Sequence, residues 1–169
     1  MRSGRGATDP VTPEEIARLP YRPCVGVVLT HADGRVFAGQ RADMDTPAWQ
    51  MPQGGIDEGE TPLQAAYREL REETGVGPEH VRLLAETADW HHYDLPLAVV
   101  PTRWKGRYRG QAQKWVCFAL TAPDNVIDLT HKDVEFSAWR WMTGAELLSL
   151  IVPFKRPIYA AVLAEFGLA

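Results

Sequence analysis

The feature that most constrains this chain is the segment WQMPQGGIDEGETPLQAAYRELREETGV, residues 49–76, in which a glycine-containing loop leads into a helix. The helix is predicted over residues 61–74, because Thr61 is a favourable N-cap and Pro62 suits the first helical position. Gly75 then supplies the C-terminal stop. One helix of this chain is therefore bounded at both ends by its own sequence.

The predicted helix has an apolar face and an acidic face. At about 100° per residue, the apolar stripe consists of Leu63, Ala66, Tyr67 and Leu70. Glu69, Glu72 and Glu73 gather on a separate arc, where like charges destabilise a helix by tenths of a kcal/mol per pair. Arg68 stands four residues before Glu72 and could orient it, but one arginine cannot neutralise three carboxylates. A hard divalent cation could neutralise them.

Two interpretations of the acidic face are open at this point. A solvated, charged surface is the common one for such a helix. Gly54 and Gly55 lie just ahead of it, however, and glycines permit the tight backbone and close ligand approach that a plain surface helix does not need. Ligands that are all oxygen favour Mg²⁺ or Mn²⁺ over zinc.

The spacing of these residues resembles the Nudix box, the signature of a family of hydrolases. The matching positions are Gly54, Glu60, Arg68-Glu69-Leu70, Glu72-Glu73 and Gly75-Val76. The resemblance implies hydrolysis of a nucleoside diphosphate linked to another group, on an α/β/α sandwich with a mixed central sheet. The metal ligands it implies are Glu69, Glu72, Glu73 and the Gly54 carbonyl. Arg68 would be a catalytic-site residue that orients the carboxylates.

Outside this segment, the pattern predicts a mixture of strands and helices. CVGVVLT and RVFAGQR, separated by the turn HADG, predict a hairpin. Further strands are predicted at HVRLLAETADW, QKWVCFAL and EFSAWRWM, and further helices at TPEEIARLP, TGAELLSL and FKRPIYAAVLAEFG. A layered α/β fold is the most economical arrangement of these elements, although the pattern leaves the strand order open.

Length and composition predict one domain. The chain has 169 residues and begins with a polar, glycine-rich stretch, so residues 1–19 are predicted as a flexible arm with a short helix and residues 20–169 as the Nudix domain. No run of about 18 apolar residues exists, which predicts that no segment spans a membrane. Cys24 and Cys117 do not have the number or spacing of a disulfide framework or zinc site, so we expect buried thiols in a cytoplasmic protein.

The charge of the chain is unevenly distributed. The net charge of −4 argues against a protein that coats nucleic acid through bulk electrostatics, and no DNA partner is expected. The run RWKGRYRGQAQK, residues 103–114, nevertheless contains five cations and no acid. Such segregation is typical of an edge that binds polyanions. Arg103, Lys105 and Arg107 could equally form a solubilising surface.

Several stretches resemble the bacterial RNA pyrophosphohydrolase group, which is closely related to the dinucleoside polyphosphate hydrolases. They are YRPCVG, WQMPQGGID, GQAQKW, EFSAWRW and FKRPIY. This resemblance implies conversion of the 5′-triphosphate end of RNA to a monophosphate, with asymmetric cleavage of diadenosine polyphosphates as the alternative. A non-catalytic RNA-binding Nudix module is a third reading, but such a protein would be expected to have lost carboxylates of the box, and none is missing.

The resemblance also assigns residues to the substrate. The expected contacts are Arg22, Arg41, Gln53, Gln111, Gln113, Lys114, Phe154 and Lys155. Phe154 could instead be a core residue of the last helix, but beside Lys155 it offers the π-face and the cation that bind an unpaired base and its phosphate. Glu135, at the head of EFSAWRW, would add a carboxylate from outside the box, as a metal ligand or the general base.

Other conspicuous aromatic residues and histidines are given structural interpretations. We expect packing roles for Trp49, Trp115, Trp139 and Trp141. His91 and His92 are adjacent, so on a strand they would point to opposite faces, and no third His or Cys stands at ligand spacing. A surface loop is the preferred interpretation of this pair.

Overall fold

The computed structural model describes residues 12–132 and 134–169. The flexible arm predicted at the start of the chain lies outside these residues, and the short helix after it is observed as α1, Pro13–Ile16. The strands are β1 Tyr21–Thr30, β2 Val36–Arg41, β3 Trp49–Gln50, β4 Gln53–Gly55, β5 Val81–Glu86, β6 His91–Asp94, β7 Gly110–Leu120 and β8 Phe136–Met142. The other helices are α2 Pro62–Thr74, α3 Gly144–Leu150 and α4 Arg156–Glu165, and 3-10 turns lie at Pro78–His80, Arg103–Gly106, Asp124–Val126 and Pro153–Lys155.

The sheet is mixed because its two central strands are parallel. β1 and β7 pair from Tyr21 opposite Gly110 to Thr30 opposite Ala119. The main strand order is β3-β2-β1-β7-β5, while β4 pairs with β1, β6 with β7 and β8 with β2. These remaining pairings are antiparallel, and the predicted hairpin is observed as β1 and β2. The parallel pairing thus decides the strand order that the pattern left open.

Helices cover both faces of the sheet. On one face, α2 packs its buried Leu70 into a cluster that includes Phe118 of β7. On the other face, α3 and α4 contribute residues such as Leu163 to a cluster around the fully buried Trp115. The predicted α/β/α sandwich and the packing role of Trp115 are therefore confirmed.

Helix α2 has the ends that its sequence predicts. The Thr61 hydroxyl accepts a hydrogen bond from the Gln64 backbone N–H at 3.1 Å, and the Gln64 side chain accepts one from the Thr61 N–H at 2.9 Å. Gly75 ends the helix with φ at +73°, in the left-handed region that favours glycine. Local chemistry is enough to set both boundaries.

Three short strands were not predicted: β3, and two strands in segments that were expected to be loops. Gln53–Gly55, expected to be loop, is the strand β4, which pairs with Cys24, Val25 and Gly26 of β1. The surface-loop interpretation of His91 and His92 is wrong, since both lie in β6 and pair with β7. Both strands depend on partners distant in the chain, which a local pattern does not reveal.

Within the part of the chain that the structure describes, none of the helices combines the length and apolar character needed to cross a bilayer. The two cysteines are free, buried thiols, as expected. Burial raises the pKa of each thiol to about 11, which keeps both protonated at neutral pH.

We predict that Gly75→Ala destabilises the fold by at least about 2 kcal/mol, because the left-handed backbone disfavours a side chain. The new Cβ would also meet the Asp128 carbonyl oxygen at 2.9 Å. Gly34→Ala is the matched control, since Gly34 has φ of +91° but open space around its Cβ position. It should cost only about 1 kcal/mol. If urea unfolding shows the same loss in free energy of unfolding for both variants, the contact with Asp128 contributes nothing.

Candidate active site

A cleft of about 710 Å³ opens where the first residues of β1 and β7 meet β4 and α2. Most of the residues predicted for a site line it: Arg22, Arg41, Gln53, Gly54, Glu69, Glu72, Glu73, Gln111, Glu135, Phe154 and Lys155. Its acidic wall comes from α2 and Glu135, and its basic and aromatic wall from the strand ends and the loops around them. Arg68, Gln113 and Lys114 lie outside the lining, each for a different reason.

Arg68 lies outside the cleft lining and holds the acidic wall in place through hydrogen bonds. Its guanidinium donates two hydrogen bonds to the Glu60 carboxylate, both at 2.8 Å, and one to the Gly55 carbonyl at 2.8 Å. It also donates to Glu69 at 2.7 Å and to Glu72 at 3.3 Å. Arg68 therefore contacts the carboxylates that it was predicted to orient.

The loop before α2 approaches the helix closely at Gly54. A Cβ on Gly54 would overlap the Glu69 carboxylate, so only glycine allows this contact. The Gln53 backbone N–H donates to the Glu73 carboxylate at 3.2 Å. Strand β4 thus carries the loop backbone against two carboxylates of the neighbouring helix.

The carboxylates of the acidic wall are crowded and desolvated. Glu69 is 8% exposed and Glu73 is 5% exposed. Burial raises the pKa of Glu69, although the adjacent Arg68 opposes the change. The pKa of Glu73 is raised further, first by burial and then by the negative charges of Glu69 and Glu135. Glu135, from the loop before β8, is therefore part of the same electrostatic cluster.

The rest of the cleft lining includes a basic and aromatic wall. The guanidinium carbon of Arg22 lies 5.0 Å from the centre of the Trp104 ring, and that of Arg103 lies 5.8 Å from it. Arg41 is paired with Asp43 at 2.6 Å. Lys155 is 7% exposed, and burial, followed by the charges of Arg41 and Arg103, lowers its pKa to about 8. An anion in the cleft would face several cations.

Phe154 lies at the cleft and is not a core residue. Its side chain is 41% exposed, and its ring centre lies 5.6 Å from that of Tyr93. It sits in the 3-10 turn just before α4, beside Lys155. The structure thus brings together the aromatic face and the cation that the sequence placed side by side.

Gln113 lies behind the cleft surface. It is fully buried, and its amide nitrogen donates to Gln111 at 2.6 Å and to Gln53 at 3.1 Å. Its carbonyl oxygen accepts from the Trp115 indole at 3.0 Å. Gln113 therefore holds Gln111 and Gln53, which do line the cleft, and is too enclosed for the direct substrate contact expected of it.

Lys114 does not line the cleft. Side chains alternate along a strand, so Lys114 faces the side of β7 opposite to Gln111 and Gln113. Its ammonium donates to the backbone carbonyls of Thr87 at 3.2 Å and Ala88 at 3.0 Å. The structure gives no support for a substrate contact by this residue.

A profile of the NUDIX domain matches residues 20–162, which is most of the chain. This protein belongs to the Nudix family. The RNA pyrophosphohydrolase of Roseobacter denitrificans is 58% identical over 156 residues, covering 92% of this chain and 98% of that protein. The RNA pyrophosphohydrolase of Rhodospirillum rubrum is 50% identical over 159 residues, covering 94% of each.

Solved structures agree with this assignment. The dihydroneopterin triphosphate pyrophosphohydrolase of E. coli has a TM-score of 0.68 at 25% identity, covering 86% of this Nudix chain and 99% of that chain. An Ap4A hydrolase of C. elegans has a TM-score of 0.61 at 18% identity, covering 85% of this chain and 98% of that chain. The second likeness shows the shared fold alone.

Nudix hydrolases generally need divalent metal ions, and the acidic wall has suitable chemistry. Its donors are all oxygen, and its raised carboxyl pKa values show that the pocket favours fewer negative charges or an added cation. Across residues 12–132 and 134–169, however, no three His, Cys, Asp or Glu side chains already converge on a metal position. Glu72 is instead paired with Arg68 and, at 3.1 Å, with Lys132.

The sequence did not single out three residues that shape this Nudix cleft. Tyr93 lies beneath Phe154, and Trp104 supports Arg22. A tryptophan inside a basic run is a recognisable signal, since aromatic and cationic side chains together bind nucleic acid. The contact between Lys132 and Glu72 spans 60 residues and had no sequence signal.

The acidic wall should make the metal-free protein less stable at neutral pH. A raised carboxyl pKa contributes stability only at low pH and loses it as the pH rises through the folded-state value. Glu73→Gln should therefore raise the midpoint of thermal unfolding in EDTA at pH 8. The gain should shrink towards pH 4, where the Glu73 carboxyl of the original protein is also protonated.

Glu60→Gln provides the control of opposite sign. Arg68 lowers the pKa of Glu60, so its stabilising contribution is present above the ordinary value of 4.5 and lost as the pH falls through the folded-state value. This variant should be less stable than the original at pH 8 and converge with it in acid. A Glu73→Gln protein that is no more stable at pH 8 would contradict the crowding argument.

Proposed function

We propose that this Nudix protein is an RNA 5′ pyrophosphohydrolase, which converts the 5′-triphosphate end of RNA to a monophosphate. The observation that carries the proposal is a cleft whose lining combines the acidic wall with the basic and aromatic wall. Relatives named RNA pyrophosphohydrolase, 50–58% identical over most of the chain, support it. A cytoplasmic location accords with this substrate and with the two free thiols.

The acidic wall is the proposed site for Mg²⁺ or Mn²⁺. We assign as ligands Glu69, Glu72, Glu73 and the Gly54 carbonyl, with Glu135 as a further ligand or the general base. When bound, the cation would offset charge on the phosphate oxygens and lower the pKa of an attacking water. Arg68 fixes the carboxylates from behind through Glu60 and Gly55.

The basic and aromatic wall would hold the polyphosphate. Arg22 and Lys155 offer cationic donors, and Gln111 and Gln53 offer amides held by Gln113. Lys155 is enclosed, and its ammonium has one long hydrogen bond, to the Gln50 side chain at 3.4 Å. A phosphate oxygen would supply a better partner and favour the charged form of the lysine.

The rim of the cleft would hold a base of the RNA. Phe154 exposes a ring face at the lining, and the Arg41 guanidinium lies at the same lining. Base stacking on an aromatic ring and on a guanidinium plane is the common way that proteins bind unpaired nucleotides. This pair therefore gives the cleft a preference for a substrate that carries a second nucleotide.

The experiment that tests the proposal compares turnover of a triphosphorylated RNA oligonucleotide with that of diadenosine tetraphosphate, both with Mg²⁺. We expect a higher kcat/KM for the RNA and a 5′-monophosphate end in the product. A clear preference for diadenosine tetraphosphate would replace the proposal with the dinucleoside polyphosphate alternative. Absence of hydrolysis of either would leave the non-catalytic reading.

We predict that Glu72→Gln lowers kcat/KM by about 100-fold or more, because it keeps the shape of the side chain but removes a charge from the proposed cation site. Glu58→Gln is the control, since Glu58 is an exposed glutamate of the same segment and is absent from the cleft lining. Its activity should remain within about twofold. Near-normal turnover by the Glu72 variant would remove this residue from the metal site.

Phe154→Ala should lower kcat/KM on triphosphorylated RNA by about tenfold or more, because a stacking contact is worth about 1–3 kcal/mol. Hydrolysis of a lone nucleoside triphosphate should change much less. Since the ring is exposed, the free energy of unfolding should hardly change, and Leu84→Ala provides an exposed apolar control away from the cleft. Equal losses on both substrates would exclude a stacking role for Phe154.

A further inference from the structure

The turn beside the basic wall of the cleft has an unusual backbone. Trp104, Lys105 and Gly106 follow one another with φ values of +47°, +58° and +70°. Residues other than glycine rarely adopt this left-handed region, and a bulky aromatic residue there is a particular exception. Such a conformation persists only where surrounding contacts hold it, and it often marks a functional site.

The contacts that hold Trp104 are two guanidinium groups and a ring. Arg22 reaches the indole from β1, and Arg103 reaches it from the same turn. Tyr108 packs against it edge-on, with ring centres 6.0 Å apart. The indole is half-buried against the core and lines the cleft. It therefore links two cations from separate segments of the chain at the wall that would face phosphate.

Both guanidinium groups lack an acidic partner. Among residues 12–132 and 134–169, no carboxylate lies within 4 Å of Arg22 or Arg103, whereas Arg41, Arg68 and Arg109 are all in ion pairs. The Arg22 guanidinium donates a 3.4 Å hydrogen bond to the Cys24 sulfur, and its tip lies against the backbone at Gly55. A cation without a carboxylate, held by an aromatic face, is available to an anion.

We propose that Trp104 is a positioning residue that holds the Arg22 guanidinium for the phosphates of the substrate. This inference rests on the proposed function, and it gives the left-handed turn a purpose, since that turn directs the indole under the guanidinium groups. An aromatic face can attract and align a guanidinium without neutralising it. A carboxylate in the same place would compete with the phosphate.

A double-mutant cycle tests the proposal directly. Trp104→Leu should lower kcat/KM on triphosphorylated RNA by about tenfold, but by less than about twofold when Arg22→Gln is already present. The reason is that a residue acting through Arg22 has little left to contribute once Arg22 is gone. Additive losses would overturn the proposal. A direct stacking role of Trp104 on a base is one alternative that would produce them.

Two comparisons separate positioning from a structural role. Trp104→Phe keeps an aromatic face and should recover most of the activity. Trp90→Leu is the matched control, because Trp90 is also in contact with a cation, Lys114, but does not line the cleft. Its activity should stay within about twofold. Should Trp104→Leu fail to fold, Trp104→Met takes its place in the cycle.

Varying the ionic strength and the substrate gives two further tests of the proposal. The loss caused by Trp104→Leu should become smaller at high ionic strength, because salt screens the contact between guanidinium and phosphate, whereas a packing defect would persist. If the original protein prefers diadenosine tetraphosphate, the proposed RNA function fails, and the same cycle is run on that substrate. Additive losses on diadenosine tetraphosphate would overturn the role of Trp104, whatever the outcome for the proposed RNA function.

Discussion

The acidic wall of the cleft depends on the guanidinium of Arg68. This one group joins the loop before α2, through Glu60 and the Gly55 carbonyl, to two carboxylates of the helix, Glu69 and Glu72. Charge-assisted hydrogen bonds of this kind are directional as well as strong. Without them, the like charges of Glu69 and Glu72 would repel one another across one turn of the helix. The loop and the helix therefore form one unit whose geometry is set by a residue outside the cleft lining.

The sheet then positions the basic and aromatic wall of the same cleft. Because β1 and β7 are parallel, Arg22 lies beside Gln111 at the same end of the sheet, on the face that also receives Phe154 and Lys155. The acidic wall and the basic and aromatic wall thereby line one cleft. A polyphosphate that brings cations with it can satisfy both walls at once, which explains how an acidic protein accommodates an anionic substrate.

The site is built from features that do not favour the folded state. Three features of the site disfavour folding when the cleft has no ligand. They are the desolvated carboxylates with raised pKa values, the buried Lys155 and the left-handed backbone conformation of Trp104. They lie together at one cleft, whereas the caps of α2 and the two apolar clusters follow ordinary rules. This division is expected where stability elsewhere supports a strained site.

The sequence by itself determined the features that depend on neighbours along the chain. The bounds of α2, its acidic face, the hairpin and the family signature follow from caps, periodicity and spacing within a few residues. Tertiary structure decided the rest: that Gln53–Gly55 pairs as a strand, that Lys114 faces away from the cleft, that Phe154 is exposed and that Trp104 supports Arg22. The physical reason is that these outcomes depend on strand register and on contacts between distant segments, which the local sequence does not determine.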